Sequence, residues 1–367
     1  MPIGISLIHE LRMRGNRNAI HVYHCLGELS AQSQRLLIDT DPLVLIFDPC
    51  TELVAEKNFT VELALDFRNF YLKPLALYHT KLKDTLIIDA DCILFDDPTK
   101  LWQTEEYKST GTLFFHDRVI TTTSYLNGRH YYYAREESTL QELLRTWPYS
   151  DFDTTYNLSA YVLNSVSYNM RSDHEQDSSI VAIDKRRAKK PMEVLWRLIT
   201  HQRFKTKYSW GDKENFWLAY ELSHTPYSFS PHACAATGYV HENETRTVCG
   251  EIAQYFPTMD KIPKLLHVNG NALINPYRKT NPINGYSMAL NSTRLDELLQ
   301  HIPKYISPRS IRESTLNIPR DKSIPNECNY VDGAEYVPED FKSHLQWRIQ
   351  KTFDIASALD AFRQIYT

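Results

Sequence analysis

Asp89 and Asp91 stand one residue apart, between the apolar runs Leu86-Ile87-Ile88 and Cys92-Ile93-Leu94-Phe95. Such a run reads as a buried strand. Side chains one residue apart on an extended chain point to the same face. Two carboxylates placed so repel unless a cation joins them, and a divalent metal carrying a nucleotide diphosphate is a natural candidate. His267, in Leu265-Leu266-His267-Val268-Asn269-Gly270, ends a second short strand and could give the same metal a nitrogen ligand. Mn²⁺ accepts mixed carboxylate and imidazole ligation. Gly270 would let the backbone approach a phosphate closely. Gln176 and Asp177 lie in a polar stretch ahead of the apolar run 180–183, and amide and acid groups bind sugar hydroxyls directionally. Asp212, in Trp210-Gly211-Asp212-Lys213-Glu214, could cap a helix or meet a substrate hydroxyl. Lys213 could face a phosphate or pair with Glu214. Each piece also has a plain structural reading: solvated acids, a core histidine, a capped turn.

Glycine is scarce, at 11 residues, and no Gly-x-Gly-x-x-Gly or Walker-type loop is present. A bound diphosphate would therefore need a metal rather than a glycine-rich cradle. The elements that must carry these residues alternate. Apolar spacing predicts helices over 3–14, 67–81, 137–147, 186–204, 211–223 and 338–360. Strands are predicted over 18–23, 43–47, 86–89, 111–115, 178–184 and 265–267. Strands alternating with helices to about residue 225 imply an α/β fold with a mixed, mostly parallel sheet flanked by helices. The acids then sit at the end of the sheet where such folds bind ligands. Residues 1–305 read as one catalytic domain, and 306–367 as an irregular connection with a C-terminal helix.

The chain has 367 residues and a formal net charge of -4, which does not support nucleic-acid binding. The basic run 185–190 reads as a solvated helix start. No stretch of 18 apolar residues spans a membrane and no signal-peptide core is visible. Six cysteines are scattered. Cys234 and Cys249 could pair in an oxidising compartment, or join His232 and His241 around zinc. Sequons at Asn58, Asn157, Asn243 and Asn291 hint at the secretory route.

Taken in order, several stretches resemble the fungal Golgi alpha-1,3-mannosyltransferase family, and more distantly the glycogenin and bacterial galactosyltransferase group. They are Lys73-Pro74-Leu75-Ala76-Leu77, Ile88-Asp89-Ala90-Asp91, Gly111-Thr112-Leu113-Phe114-Phe115-His116-Asp117-Arg118, Gln176-Asp177-Ser178-Ser179, Gly211-Asp212-Lys213-Glu214-Asn215-Phe216-Trp217 and His267-Val268-Asn269-Gly270. The resemblance implies a GT-A fold, a Golgi-luminal setting, Mn²⁺, GDP-mannose as donor, a mannose-bearing glycan as acceptor, and retention of anomeric configuration. It implies Asp89, Asp91 and His267 as metal ligands and Lys73 as a basic position near the donor phosphates. Asp177 and Asp212 would lie around the transferred sugar, with Gln176, Lys213 and Gly270 at the donor. The fold's opening strand and the family's membrane anchor are not visible ahead of the first helix, as a trimmed chain would explain. Other readings are a uridine-diphosphate donor, a glycan-binding protein with a lapsed donor site, and a haloacid-dehalogenase-like phosphatase. The last wants Thr or Val where Ile93 stands.

Overall fold

The computed structural model describes residues 1–280, 287–290, 293–312 and 324–366. In chain order, the elements that build the site are α1 (Pro2–Met13), β1 (Ile20–Tyr23), β2 (Val44–Phe47), α2 (Leu72–His79), β3 (Asp84–Ile88), β4 (Cys92–Leu94) and β5 (Thr112–His116). There follow α3 (Ala160–Asn164), β6 (Gln176–Asp184), α4 (Asn215–Leu222), β7 (Ala235–His241), β8 (Glu244–Tyr255), β9 (Leu265–Asn269) and α5 (Glu339–Tyr366).

The fold is mixed helix and sheet, but the expected mostly parallel sheet is not what forms. β6 lies between β3 and β5 and runs antiparallel to both, with Ile180 opposite Ile88 and Asp177 opposite Phe115. β4 leaves that sheet and joins a second one, pairing antiparallel with β9. β9 pairs with β8 and β8 with β7, again antiparallel. Among the described strands the only parallel ladder is β1–β2, with Ile20 opposite Val44. The physical reason is that β6 is buried along its whole length. An apolar run records burial on both faces, which a parallel strand shares, and says nothing of direction.

Alternate residues of β5 divide two cores, as the two-residue period of a strand requires. Phe114 faces α2 and α4, packing in one cluster with Leu75, Leu77, Phe216 and Trp217. Leu113 and Phe115 face the second sheet and α1, with Leu94, Leu266, Leu7 and Leu11. Phe341, Leu345 and Ile349 recur every four residues on α5 and bury against Ile93, Ala253 and Val268. The C-terminal helix is thus part of the core around the second sheet.

Two expectations are corrected. Cys249 is bonded to Cys328, its partner across the β8 ladder, and Cys25 to Cys50. Cys234 is a buried free thiol, so neither the Cys234–Cys249 pair nor the zinc quartet with His232 and His241 exists. The basic run does open a helix, Lys189–Arg197, and Arg186, Arg187, Lys189 and Lys190 are exposed. Lys185 Nζ donates to the carbonyls of Leu77, Tyr78 and Thr80 at the end of α2, and Arg186 pairs with Asp84 and Asp184. No helix among the described residues is long and apolar enough to cross a membrane. Asn58, Asn157 and Asn243 are exposed; Asn291 and residues 313–323 of the 306–337 connection lie outside the described residues.

Candidate active site

The site begins where β3 ends. Asp89 N donates to Ser179 O at 2.9 Å, the last rung to β6, and Cys92 N donates back to Asp89 O at 3.0 Å. That bond between residues three apart closes a tight turn. Asp89 and Asp91 therefore flank a bend that carries the chain from one sheet to the other, and do not share the face of one extended strand. Gly270 N braces the bend by donating to Asp91 O at 3.1 Å. Its amide is engaged by the turn.

Lys73 reaches this bend from α2. Its ammonium lies 2.8 Å from Asp89 Oδ1 and 2.9 Å from Asp212 Oδ2, and it donates to Ser178 O and Oγ at 3.2 and 3.1 Å. Burial alone would lower the Lys73 pKa; Asp89 and Asp212 outweigh it and hold the group charged, above the usual lysine range. Asp89 is pushed up to about 7, first by loss of water, against the pull of Lys73 and with a further push from Asp212 and Asp91. The helix-cap reading of Asp212 does not hold. α4 starts without a side-chain cap, and the carboxylate of Asp212, only 2% exposed, turns to Lys73. Gly211 makes this possible. It has φ +66, and a Cβ there would come within 2.8 Å of Phe70 Cβ, so a side chain is excluded by both backbone conformation and space.

Lys213 pairs with Asp117, not with Glu214: Nζ to Oδ2 is 2.5 Å. Burial raises the Asp117 carboxyl, but Lys213 and other cations outweigh it, and the net value lies below the usual range. Glu214 turns inward, accepting from Trp217 Nε1 at 2.6 Å and Glu175 N at 3.2 Å.

Asp177 and Gln176 are held by the scaffold. Asp177 accepts from Ser179 N at 3.0 Å, Ser179 Oγ at 2.7 Å and Gln254 Nε2 at 2.9 Å. Gln176 is fully buried, and its side-chain oxygen accepts from Trp217 N at 3.3 Å. His267 Nε2 lies 2.8 Å from Ser179 Oγ. Because the Ser179 proton goes to Asp177, the imidazole must donate, which fixes its N–H at Nε2. Burial lowers its pKa to about 4, so the ring is neutral. Its Nδ1 lone pair is buried with no hydrogen-bond partner among the described residues. A single residue, Ser179, thus touches both Asp89 through its carbonyl and His267 through its hydroxyl.

Three carboxylates are paired with two lysines here, Asp89 and Asp212 with Lys73 and Asp117 with Lys213, and the neutral His267 imidazole keeps a buried Nδ1 lone pair with its tautomer fixed by a hydroxyl and an acid behind it. Among the described residues, however, no three His, Cys, Asp or Glu side chains already converge as a cage; Lys73 holds the cationic place beside Asp89.

Sequence reasoning missed four contributors. Asp117 carries the same signal as Asp89, an acid just after an apolar strand. Ser179 and Gln254 carry no local signal, since their partners lie on other strands. Nor does Arg348, on α5, whose Nη2 donates to Ala90 O at 3.0 Å at the tip of the acidic bend. Arg348 is itself paired with Glu10, and both are fully buried.

The family described as "Mannosyltransferase putative" matches residues 1–257. The chain is 25% identical to "Putative alpha-1,3-mannosyltransferase MNN14" of Candida albicans over 93% of its own length and 50% of that protein. It is 25% identical to alpha-1,3-mannosyltransferase MNN1 of Saccharomyces cerevisiae over 66% of this chain and 34% of that one. For alpha-1,3-mannosyltransferase MNT2 of the same yeast the identity is 26%, over 72% and 47%. The chain spans half or less of the length of these relatives. With the matched region containing the Asp89 bend, Lys73, Asp117, Asp177 and the Asp212–Lys213 pair, this chain belongs to the mannosyltransferase family, a family of glycosyltransferases.

Proposed function

We propose that the chain is a metal-dependent, retaining alpha-1,3-mannosyltransferase of GT-A type that moves mannose from GDP-mannose to a mannose-bearing glycan in the Golgi lumen. The observation that carries this reading is the linked cluster Asp89, Lys73 and Asp212 at the sheet end, with Asp91 across the same bend and the Lys213–Asp117 pair following Asp212 in the chain. The two disulfides suit an oxidising lumen.

Breaking the anomeric C–O bond leaves charge on the diphosphate. Asp89, Asp91 and the Nδ1 lone pair of His267 are the groups that would hold Mn²⁺. When bound, the cation supplies Lewis-acid stabilisation of that departing charge. Lys73 and Lys213 add positive charge at fixed positions. Ser178, Asp89 and Asp212 hold the Lys73 ammonium in place. Asp177 keeps Ser179 and hence the His267 ring oriented, which is a positioning role and not a nucleophilic one. Attack from the same face as departure lets the leaving phosphate oxygen take the acceptor proton. The mannosyl group is cation-like at that moment, and the Asp212 carboxylate favours it.

The test offers radiolabelled GDP-mannose, UDP-galactose and UDP-glucose with an α-mannoside acceptor, in Mn²⁺ or in chelator. Transfer from GDP-mannose alone, lost with chelator, is expected. Consumption of a uridine donor instead would overturn the donor assignment. No turnover of any donor would favour a lapsed, glycan-binding protein.

A further inference from the structure

A cavity of about 640 Å³ opens on the Phe114 side of β5, at its His116 end. Its walls combine aromatic rings with a charged floor. Phe229, His116 and Tyr161 form a cluster of near-parallel rings, with Phe229 4.7 Å from each of the other two and those two 6.3 Å apart. Glu175 lies beneath, 1% exposed, accepting from Tyr161 Oη at 3.1 Å, with His116 Nδ1 at 3.5 Å. Arg312 closes the far side. Its side chain is 9% exposed and stands 3.8 Å from Glu175, and Nη1 donates to Asp117 O at 3.1 Å. Its Nε and Nη2 are buried with no hydrogen-bond partner among the described residues. Among those residues Nη2 has only the long ion pair with Glu175 Oε1. Buried guanidinium N–H groups without a hydrogen bond are costly, so the cavity suits something that accepts from them.

We infer that this cavity takes a neutral hexose ring and is the subsite for the terminal sugar of the acceptor. The inference rests on the transferase reading above. An anion would satisfy Arg312 but would meet the Glu175 carboxylate beside it. Burial raises that carboxyl, yet His116 and Arg312 bring it down to about 2, so it is ionised at any working pH. A sugar hydroxyl accepts from Arg312 and donates to Glu175 at once, while the ring's C–H face packs on an aromatic wall. The Asp117 main chain ties the two sites together. Its carbonyl holds Arg312, its amide donates to Glu175 O at 3.0 Å, and its carboxylate holds Lys213 of the donor cluster.

The experiment titrates methyl α-mannoside into the full chain, with affinity read by saturation-transfer NMR and no donor present. Two variants are compared with the parent. Ala160→Trp fills the cavity from its exposed rim on α3 and leaves every charge in place. Arg312→Ala removes the donors that lack a hydrogen bond and is read beside its melting temperature. Binding by the parent, weakened about tenfold or more in both variants, is the expected result. Binding unchanged in Ala160→Trp would overturn the inference. So would displacement of the mannoside by inorganic phosphate, which would mark an anion site. Mannoside binding lost in Ala160→Trp while the parent consumes no nucleotide sugar would sink the transferase reading and leave the cavity a hexose site.

Discussion

At the scale of single residues, the site depends on one ammonium group serving two carboxylates. Removing one partner of a partly buried ionic cluster leaves charge without compensation, and the loss exceeds that from removing both. Lys73→Met is therefore expected to lower stability by about 3 kcal/mol. Lys73→Met/Asp212→Asn should lose less than the sum of the two single variants, as groups in contact do. Urea unfolding of the four proteins in that cycle measures the coupling. Strict additivity would mean that the 2.9 Å contact carries no energy. Gly211→Ala tests how Asp212 is presented. A side chain at φ +66, pressed against Phe70, should cost about 1–3 kcal/mol. Mannosyl transfer should fall with it, because the strain is relieved by shifting Asp212 away from Lys73. Full transfer by a Gly211→Ala protein of parental stability would show that this turn does not set the position of Asp212.

At the scale of elements, the bend that carries Asp89 and Asp91 is clamped from the far end of the chain. Glu10 of α1 accepts from Leu94 N at 3.1 Å and pairs with Arg348 and His344 of α5. Arg348 in turn holds Ala90 O. Arg348→Met should cost about 3–5 kcal/mol by stranding a buried Glu10. Adding Glu10→Met should recover much of that, yet the double variant still lacks the hand on Ala90. It should fold and need several-fold more Mn²⁺ for half-maximal transfer. Parental metal dependence in a folded double variant would restrict Arg348 to stability. The contrast between what the sequence reveals and what it hides has the same origin. Asp89, Asp212 and the existence of β1, β2, β3, β5, β6 and β9 were legible because each is announced by its own neighbours, as an apolar run or a Gly-Asp turn, whereas Lys73 came only from the family resemblance and β4 was not foreseen. The order of β3, β6 and β5, the Ser179–His267 link and the Arg348 clamp depend on residues 60 to 258 positions apart. No local pattern encodes them. The Cys234–Cys249 expectation failed for the same reason, since strand register placed Cys328 opposite Cys249.

At the scale of the whole molecule, two kinds of linkage set stability. The first is protonation. Glu175, facing His116, Arg312 and Tyr161, has a folded pKa of about 2 against an ordinary 4.5. A depressed folded value means that the unfolded chain binds the proton first. Its contribution is full above about pH 4.5 and is lost as pH falls toward 2, amounting to about 3 kcal/mol. Glu175→Gln should flatten the acid limb of a stability-against-pH curve over that window, and an unchanged slope would show the carboxylate to be uncoupled from folding. The second linkage is covalent. Cys25–Cys50 closes a loop of 25 residues and Cys249–Cys328 one of 79. Chain entropy alone assigns them about 3.5 and about 4.5 kcal/mol. Cys328 lies beyond the region that the family match covers, so the longer bridge fastens the C-terminal part to β8. Cys249→Ser/Cys328→Ser should therefore destabilise the chain more than Cys25→Ser/Cys50→Ser, as read by thermal melting. The two remaining thiols, Cys92 and Cys234, are buried and should resist a thiol reagent in the native protein. Two reactive thiols should emerge on denaturation without reductant, and all six after reduction. Six without reductant would mean that neither bridge forms, and the stability argument for an oxidising compartment would fall with them.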